Sequence, residues 1–251
     1  MLTKRIIACM DVRDGHVVKG IQFQQLRHAG DPAELAARYN VEGIDEVVIL
    51  DITATLESRR ALADTIHAVA QRIFLPLTVG GGIRSEQDAA AAVDAGADKV
   101  SLNTAALNNP ALITTLARRY GSQAVIVAID AKRRDEGFAV YVRSGTADAA
   151  RDAVEWAREA ESRGAGEILL TSMDRDGTLS GFDCEMTSAV AGAVNIPVIA
   201  SGGAGGREHF CDVFTRGHAD AALAASIFHS GTVRVSELKA YLRDKNIPVR
   251  L

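Results

Sequence analysis

The chain has 251 residues, 47% of them apolar, 24% charged and only 5% aromatic, with a formal net charge of −4 at pH 7. Binding a phosphate backbone needs clustered Lys and Arg, and no basic stripe with interleaved aromatics is present, so no nucleic-acid partner is expected. No run approaches the ~20 apolar residues of a membrane span, and MLTKRIIACMD lacks a basic leader followed by a sustained apolar stretch, so neither a membrane segment nor a signal peptide is expected.

Cys9, Cys184 and Cys211 lie far apart without CxxC spacing and read as free thiols of a reducing compartment. The six histidines form no HxxxH or HxH pair, so no metal site is expected. No cofactor is expected either, and the expected location is the cytoplasm.

Short apolar runs of strand length recur along the chain at 5–10, 46–51, 75–80, 99–103, 124–130, 167–172, 196–201 and 220–225. Segments of helical period lie between them. Asp31-Pro32 opens one, with Asp as N-cap and Pro at the first helical position. Ser85 opens SEQDAAAAVDAG and Gly96 closes it. Asn109-Pro110 opens another. Strands alternating with helices imply right-handed crossovers and a parallel sheet. The length fits one (β/α)8 barrel, and also a doubly wound domain with a small second domain. Eight units favour the closed barrel.

The chain also repeats itself. LPLTVGGGIRSEQDAAAAVDAGADKVSLNTAAL (75–107) parallels IPVIASGGAGGREHFCDVFTRGHADAALAASIF (196–228), and GIDEVVILDIT (43–53) parallels GAGEILLTSMD (164–174). The offset is 121 residues from Gly82 to Gly203 and from Glu46 to Glu167, and 119 from Asp11 to Asp130. The expectation is one domain over 1–251 made of two half-barrels, about 1–122 and 123–251. Chance likeness between Gly- and Ala-rich units is the competing explanation.

Gly80-Gly81-Gly82 and Gly202-Gly203 end the third and seventh strands, and Asn103-Thr104 and Ala225-Ser226 end the fourth and eighth. Glycine lets a backbone approach a ligand closely, and the following helix N-terminus offers unpaired N–H groups to an anion. Such a set occurring twice points to two phosphate sites and an elongated bisphosphate substrate. A single glycine pair would more simply be a tight turn. Asp176-Gly177, after strand six, falls beside the second site.

Asp11 ends strand one and Asp130 ends strand five, which lie opposite each other in an eight-stranded barrel. Carboxylates at the C-terminal ends of barrel strands face the active-site mouth. Two of them divide the labour of acid and base when their surroundings push their pKa values apart; loop-capping aspartates are the plainer alternative. The segment 12–30 is too long for an ordinary connection and reads as a small hairpin followed by a flexible stretch, in the manner of a lid. Lys19 within it either reaches the substrate or is simply solvated. Residues 131–145 read as a matching hairpin.

Arg5, Glu46, Lys99 and Glu167 each begin a strand. Alternation along a strand puts Arg5 on the face of Asp11 and Lys99 on the face of Asn103. If those point inward, four charges summing to zero close the bottom of the barrel. A rim of solvent-facing salt bridges is the alternative.

These motifs together, with KRIIACMDVRDGHVVKG (4–20), TVGGGI (78–83), ADKVSLNTAA (97–106), SQAVIVAIDAKR (122–133), GAGEILLTSMDRDGT (164–178) and DAALAASIFH (220–229), resemble one family over essentially the whole chain. That family is the cyclase subunits of imidazole glycerol phosphate synthase, a lyase of histidine biosynthesis. The resemblance implies a reaction of ammonia with phosphoribulosyl-formimino-aminoimidazole carboxamide ribotide, giving imidazole glycerol phosphate and aminoimidazole carboxamide ribotide. It implies a heterodimer with a glutaminase docked at the N-terminal face of the barrel. By position, Asp11 and Asp130 resemble the catalytic pair. Gly82, Asn103 and Thr104 resemble one phosphate site; Gly177, Gly203 and Ser226, beside Asp176, resemble the other. Lys19 resembles the substrate-clamping lysine, and Arg5, Glu46, Lys99 and Glu167 the ammonia gate. One departure is visible: GREHFCDVFTRGHAD is a residue longer than expected before strand eight. The rival readings are the related sugar isomerase of the same pathway and a catalytically silent phosphate-binding barrel.

Overall fold

The structure, a computed structural model, describes residues 2–21, 24–52, 56–142 and 145–251, with the side chains of 19–29 and 56–61 outside that description. The first half runs β1 (Arg5–Arg13), β2 (His16–Ile21), β3 (Gln24–Gly30), α1 (Pro32–Glu42), β4 (Glu46–Asp51), α2 (Leu56–Ala70), β5 (Leu77–Gly80), α3 (Glu86–Asp94), β6 (Lys99–Leu102), α4 (Thr104–Asn108) and α5 (Ala111–Tyr120). The second runs β7 (Val125–Arg133), β8 (Phe138–Val142), β9 (Ala147–Asp152), α6 (Ala153–Ser162), β10 (Glu167–Ser172), α7 (Cys184–Ala191), β11 (Val198–Ser201), α8 (Arg207–Thr215), β12 (Ala221–Ala224), α9 (Ser226–His229) and α10 (Val235–Asp244).

Among the described residues, β1, β4, β5, β6, β7, β10, β11 and β12 pair in parallel in that order, and β12 pairs back onto β1 to close a (β/α)8 barrel. Each of the eight expected strands is present, with ends displaced for identifiable reasons. β5 and β11 begin after Pro76 and Pro197, which have no N–H to give a ladder. β1 and β7 run on to Arg13 and Arg133 because each continues into an antiparallel ladder, with β2 and β8 respectively. Asp31 caps α1 by accepting from the Glu34 N–H, and Ser85 caps α3 by accepting from the Asp88 N–H. α3 ends at Asp94, two residues before Gly96, and no side chain caps α5, which starts after Pro110.

The hairpin expected after β1 turns at Asp14-Gly15, both with positive φ, as a two-residue turn joining right-twisted strands requires. The stretch after it is not wholly irregular. Gln24–Gly30 forms β3 along the free edge of β2, where an unpaired row of backbone groups calls for a partner. The hairpin after β7 likewise acquires a third strand, β9.

Side-chain alternation sorts the barrel strands into two cores. Outward residues such as Ile6, Ala8, Met10, Val47, Ile49, Val127 and Ile168 pack under the helices. Inward ones, including Ile7, Cys9, Val48, Ile126, Leu169, Ile199 and Leu223, fill the lumen. The extra residue before strand eight is located at His218, which takes a left-handed φ of 56°. It leaves the pairing intact. Asp98 accepts from the Leu77 N–H at 2.8 Å, and Asp220, beyond the insertion, accepts from the Val198 N–H at 3.1 Å.

At the N-terminal end of the barrel, Asp45 ties β1 to the last helix. One carboxylate oxygen accepts from the Ile6 N–H at 2.8 Å, and the other meets Lys239 Nζ at 2.7 Å and Arg250 Nε at 3.3 Å. Asp45 and Lys239 are both buried. Breaking a buried pair strands a charge, so Asp45→Ala is expected to cost about 3 kcal/mol in urea unfolding. A loss below about 1 kcal/mol would mean that water reaches Lys239.

Candidate active site

Asp11 and Asp130 sit on β1 and β7, four strands apart in either direction round the barrel, and both face inward at the C-terminal end. Burial raises Asp11 to about 7, with the Asp176 charge adding to the shift. Burial also raises Asp130 to about 6, against a hydrogen bond from Asn103 that lowers it and the Asp176 charge that raises it. Asp176, in the turn after β10, is itself raised by burial and accepts from the Gly177 N–H. Its negative charge also helps hold the buried Cys9 thiol protonated, after burial itself and the charge of Asp11. The Asp176 charge thus reaches both Asp11 and Asp130 at the mouth. This coupling of Asp176 to both aspartates was not readable from the repeat, which pairs residues between halves but says nothing of distances across the mouth.

The two glycine turns are built alike. A Cβ on Gly81 would lie 2.0 Å from the Asp51 carbonyl oxygen, and one on Gly202 would lie 2.6 Å from that of Ser172. Both have φ near the left-handed region, at 81° and 90°. A side chain is therefore barred twice over at each, by contact and by conformation. Gly82 and Gly203 follow, also with positive φ. Asn103-Thr104 opens α4 and Ala225-Ser226 opens α9, beside the respective turns. Gly177, expected at the second anion site, has its N–H engaged by Asp176 in this structure. The Lys19 side chain lies outside the described residues.

At the other end of the lumen the four strand-initial charges meet in a ring. The Arg5 guanidinium forks to Glu46 at 2.9 Å and to Glu167 at 2.5 Å. Lys99 Nζ lies 3.0 Å from Glu46 and 2.7 Å from Glu167. Thr78, which the sequence reading had passed over, donates to Glu46 at 2.7 Å and completes its shell. Glu46 is buried to 1% exposure. Burial would raise Glu167, but hydrogen bonds and charge from Arg5, then Lys99, outweigh it and hold the carboxyl below its ordinary value. The alternative of a loose solvent-facing rim does not describe this arrangement.

Four large apolar side chains are exposed at that same end, in segments that precede strands or adjoin the first one: Leu2 (91%), Val41 (86%), Phe74 (97%) and Leu251 (76%). No described helix is long and apolar enough to cross a membrane. Among the described residues no three His, Cys, Asp or Glu side chains gather to hold a metal ion.

A (β/α)8 barrel with two carboxyls of raised proton affinity at its mouth and twin glycine turns beside them has the form of a barrel enzyme with its site at the C-terminal face. A profile of the histidine biosynthesis protein family matches residues 5–234. Three proteins named imidazole glycerol phosphate synthase subunit HisF are similar over 100% of this chain: 62% identical in Acidobacterium capsulatum, 57% in Metallosphaera sedula and 54% in Saccharolobus solfataricus, covering 99%, 100% and 100% of those proteins. The chain belongs to the histidine biosynthesis protein family, among the cyclase subunits of imidazole glycerol phosphate synthase.

Raised carboxyl pKa values have a stability sign. The folded state favours the protonated form, so the cost of the charge is absent below about pH 4 and complete above about pH 7. Asp11→Asn removes that charge. At pH 8 the variant is expected to be more stable than the parent by about 2 kcal/mol, a value reduced for the solvent that reaches the open mouth. The gain should vanish by pH 4 in urea unfolding. A gain independent of pH would assign it to packing instead.

Proposed function

We propose that ammonia enters this barrel at the charged ring, passes along the lumen and meets a bisphosphate substrate held across the mouth. The chain is a cyclase of histidine biosynthesis, and its relatives are named as one subunit of a synthase, so it works with a partner subunit. In this reading the partner is a glutaminase. It docks on the N-terminal face, where the exposed Leu2, Val41, Phe74 and Leu251 offer apolar area around the ring of Arg5, Glu46, Lys99 and Glu167. Large exposed apolar side chains gathered at one end mark a protein contact. The sister sugar isomerase and a silent scaffold have no such need of a second subunit.

The single observation that carries this reading is that both ends share strands. Arg5 and Asp11 lie on the inward face of β1, and Lys99, Ser101 and Asn103 on that of β6. Between the ends the lumen holds Ile7, Cys9, Val48, Ile126, Leu169 and Ile199, so transit requires these side chains to rotate aside. The substrate's phosphates lie at Gly82, Asn103 and Thr104 on one side and at Gly177, Gly203 and Ser226, with Asp176, on the other. The anion displaces the internal Asp176–Gly177 contact, and Lys19 closes over the substrate. The two half-barrels, about 1–122 and 123–251, each supply one phosphate turn and one aspartate.

Ammonia attacks the ribulosyl carbonyl. The new C–N bond takes the nitrogen lone pair, the carbonyl π pair moves to oxygen, and that oxygen gains a proton from one aspartic acid while the nitrogen gives a proton to the other carboxylate. Loss of water then gives an imine, whose enamine form closes on the formimino carbon. The pair shuttles protons again as aminoimidazole carboxamide ribotide leaves. A raised pKa suits both carboxyls to this exchange near neutrality.

Asp11→Asn and Asp130→Asn are each expected to lower kcat with ammonium by at least the ~10²-fold typical of a lost acid or base, with substrate binding retained. Near-normal turnover in either variant would remove that residue from the pair. The ring is tested separately, with Lys99→Ala in complex with the glutaminase. Ammonium-dependent turnover should persist, because the chemistry lies at the opposite end. With glutamine, more glutamate than imidazole product should form. A one-to-one ratio at unchanged stability would return the ring to a purely structural role.

A further inference from the structure

Asn103 is an odd cap. Asn is among the favoured N-cap residues because its oxygen accepts from the first free N–H groups of a helix. At the start of α4 it makes no such bond. Its backbone takes φ −124° and ψ −106°, outside the extended conformation usual for a cap, and the amide turns instead to the mouth of the barrel. Nδ2 donates to Asp130 Oδ2 at 2.9 Å. Oδ1 is buried and meets no hydrogen-bond donor among the described residues. A buried acceptor without a donor costs about 1–3 kcal/mol, so the position is one a fold would not keep for stability alone.

The duplicated architecture supplies a control. The residue equivalent to Asn103 in the second half is Ala225, which opens α9 beside the other glycine turn with a similar backbone, φ −119° and ψ −76°. The second turn is therefore built without any amide at this position. What the amide adds in the first half is a partner for one of the two aspartates. Among the described residues, the groups that face Asp130 are this amide just after β6, the Asp176 carboxyl from the turn after β10, and Tyr141 across the β7–β8 ladder. Asp11 and Cys9, on the opposite strand, feel Asp176, and among the described residues no amide contributes to the shift of either.

We infer that the Asn103 side chain serves the reacting centre, while its backbone stays at the phosphate turn: its Nδ2 holds Asp130 as the proton-accepting carboxylate, and its Oδ1 accepts an N–H of the incoming ammonia and places that nitrogen beside Asp130. This rests on the acid–base reading of Asp11 and Asp130. It breaks the symmetry of the pair. Asp130, with a donor fixed on one oxygen, takes the proton that the attacking nitrogen releases. Asp11, without one, gives its proton to the carbonyl oxygen. Asn103 touches the nucleophile through Oδ1 and acts on Asp130 through Nδ2, so one substitution removes both effects.

The test is Asn103→Ala, followed with ammonium as nitrogen source and rates expressed per free ammonia. Losing the bond to a charged acceptor should move the acid limb of kcat/KM up by about one pH unit, and losing the acceptor should raise the KM for ammonia about tenfold. The KM for the bisphosphate substrate should change little, and inorganic phosphate should raise the melting temperature of the variant as much as that of the parent. Asn103→Asp keeps the volume and sets a second carboxylate against Asp130, so it should move the limb further in the same direction. An unmoved acid limb in both variants overturns the inference. So does a rise confined to the KM of the bisphosphate with loss of phosphate protection, which would leave Asn103 as a phosphate contact. Asp130→Asn run alongside separates the two levels: if that variant keeps its turnover, the acid–base reading itself fails, whatever Asn103 does.

Discussion

In a closed barrel each strand has two faces, and one of them has nowhere to point but the lumen. A polar group placed at an inward position is cut off from water along most of its length and must find partners among the inward residues of neighbouring strands. Here that constraint acts at both ends. At the strand starts, Glu46 and Glu167 are satisfied by Arg5, Lys99 and Thr78, all inward, from three other strands of the circle. At the strand ends, burial outweighs what Asp11 and Asp130 gain from their neighbours, and their affinity for protons rises accordingly. The same geometry that neutralises charge at one end raises the proton affinity of carboxyls at the other.

Much of this was legible because alternation and duplication are properties of the sequence. Arg5 and Asp11 are six residues apart and Lys99 and Asn103 four, so their shared faces follow from parity without coordinates. The extra residue before strand eight showed as a length difference, and the fold absorbs it in a single left-handed residue, His218. What was not legible lies across the barrel. The reach of the Asp176 charge, the Thr78 bond to Glu46 and the Asp45–Lys239 pair join residues distant in sequence with no repeat to relate them. β3 was missed because its residues, QQLRHAG, carry no apolar alternation; it is the exposed edge of β2 that makes them a strand.

The duplication is also informative where it fails. The glycine turns, the strand-capping aspartates Asp98 and Asp220 and the antiparallel excursions after β1 and β7 correspond closely, as expected of parts that set geometry. Asn103 against Ala225 breaks the correspondence at the mouth, where the first half places an amide on Asp130 and the second half has none at the equivalent position.

The bridge between Lys4 and Val249, with the Lys4 N–H donating to the Pro248 carbonyl at 2.7 Å, brings the two ends of the described chain side by side. For protein engineering this has a direct bearing. A peptide added at either end projects from the face that carries the charged ring, so an affinity tag there lies beside Arg5, Glu46, Lys99 and Glu167. The same closeness means that a short linker joins residue 249 to residue 4, and a new opening at Gly121, in the connection between α5 and β7, yields a circular permutant in which the second four-strand block is synthesised first.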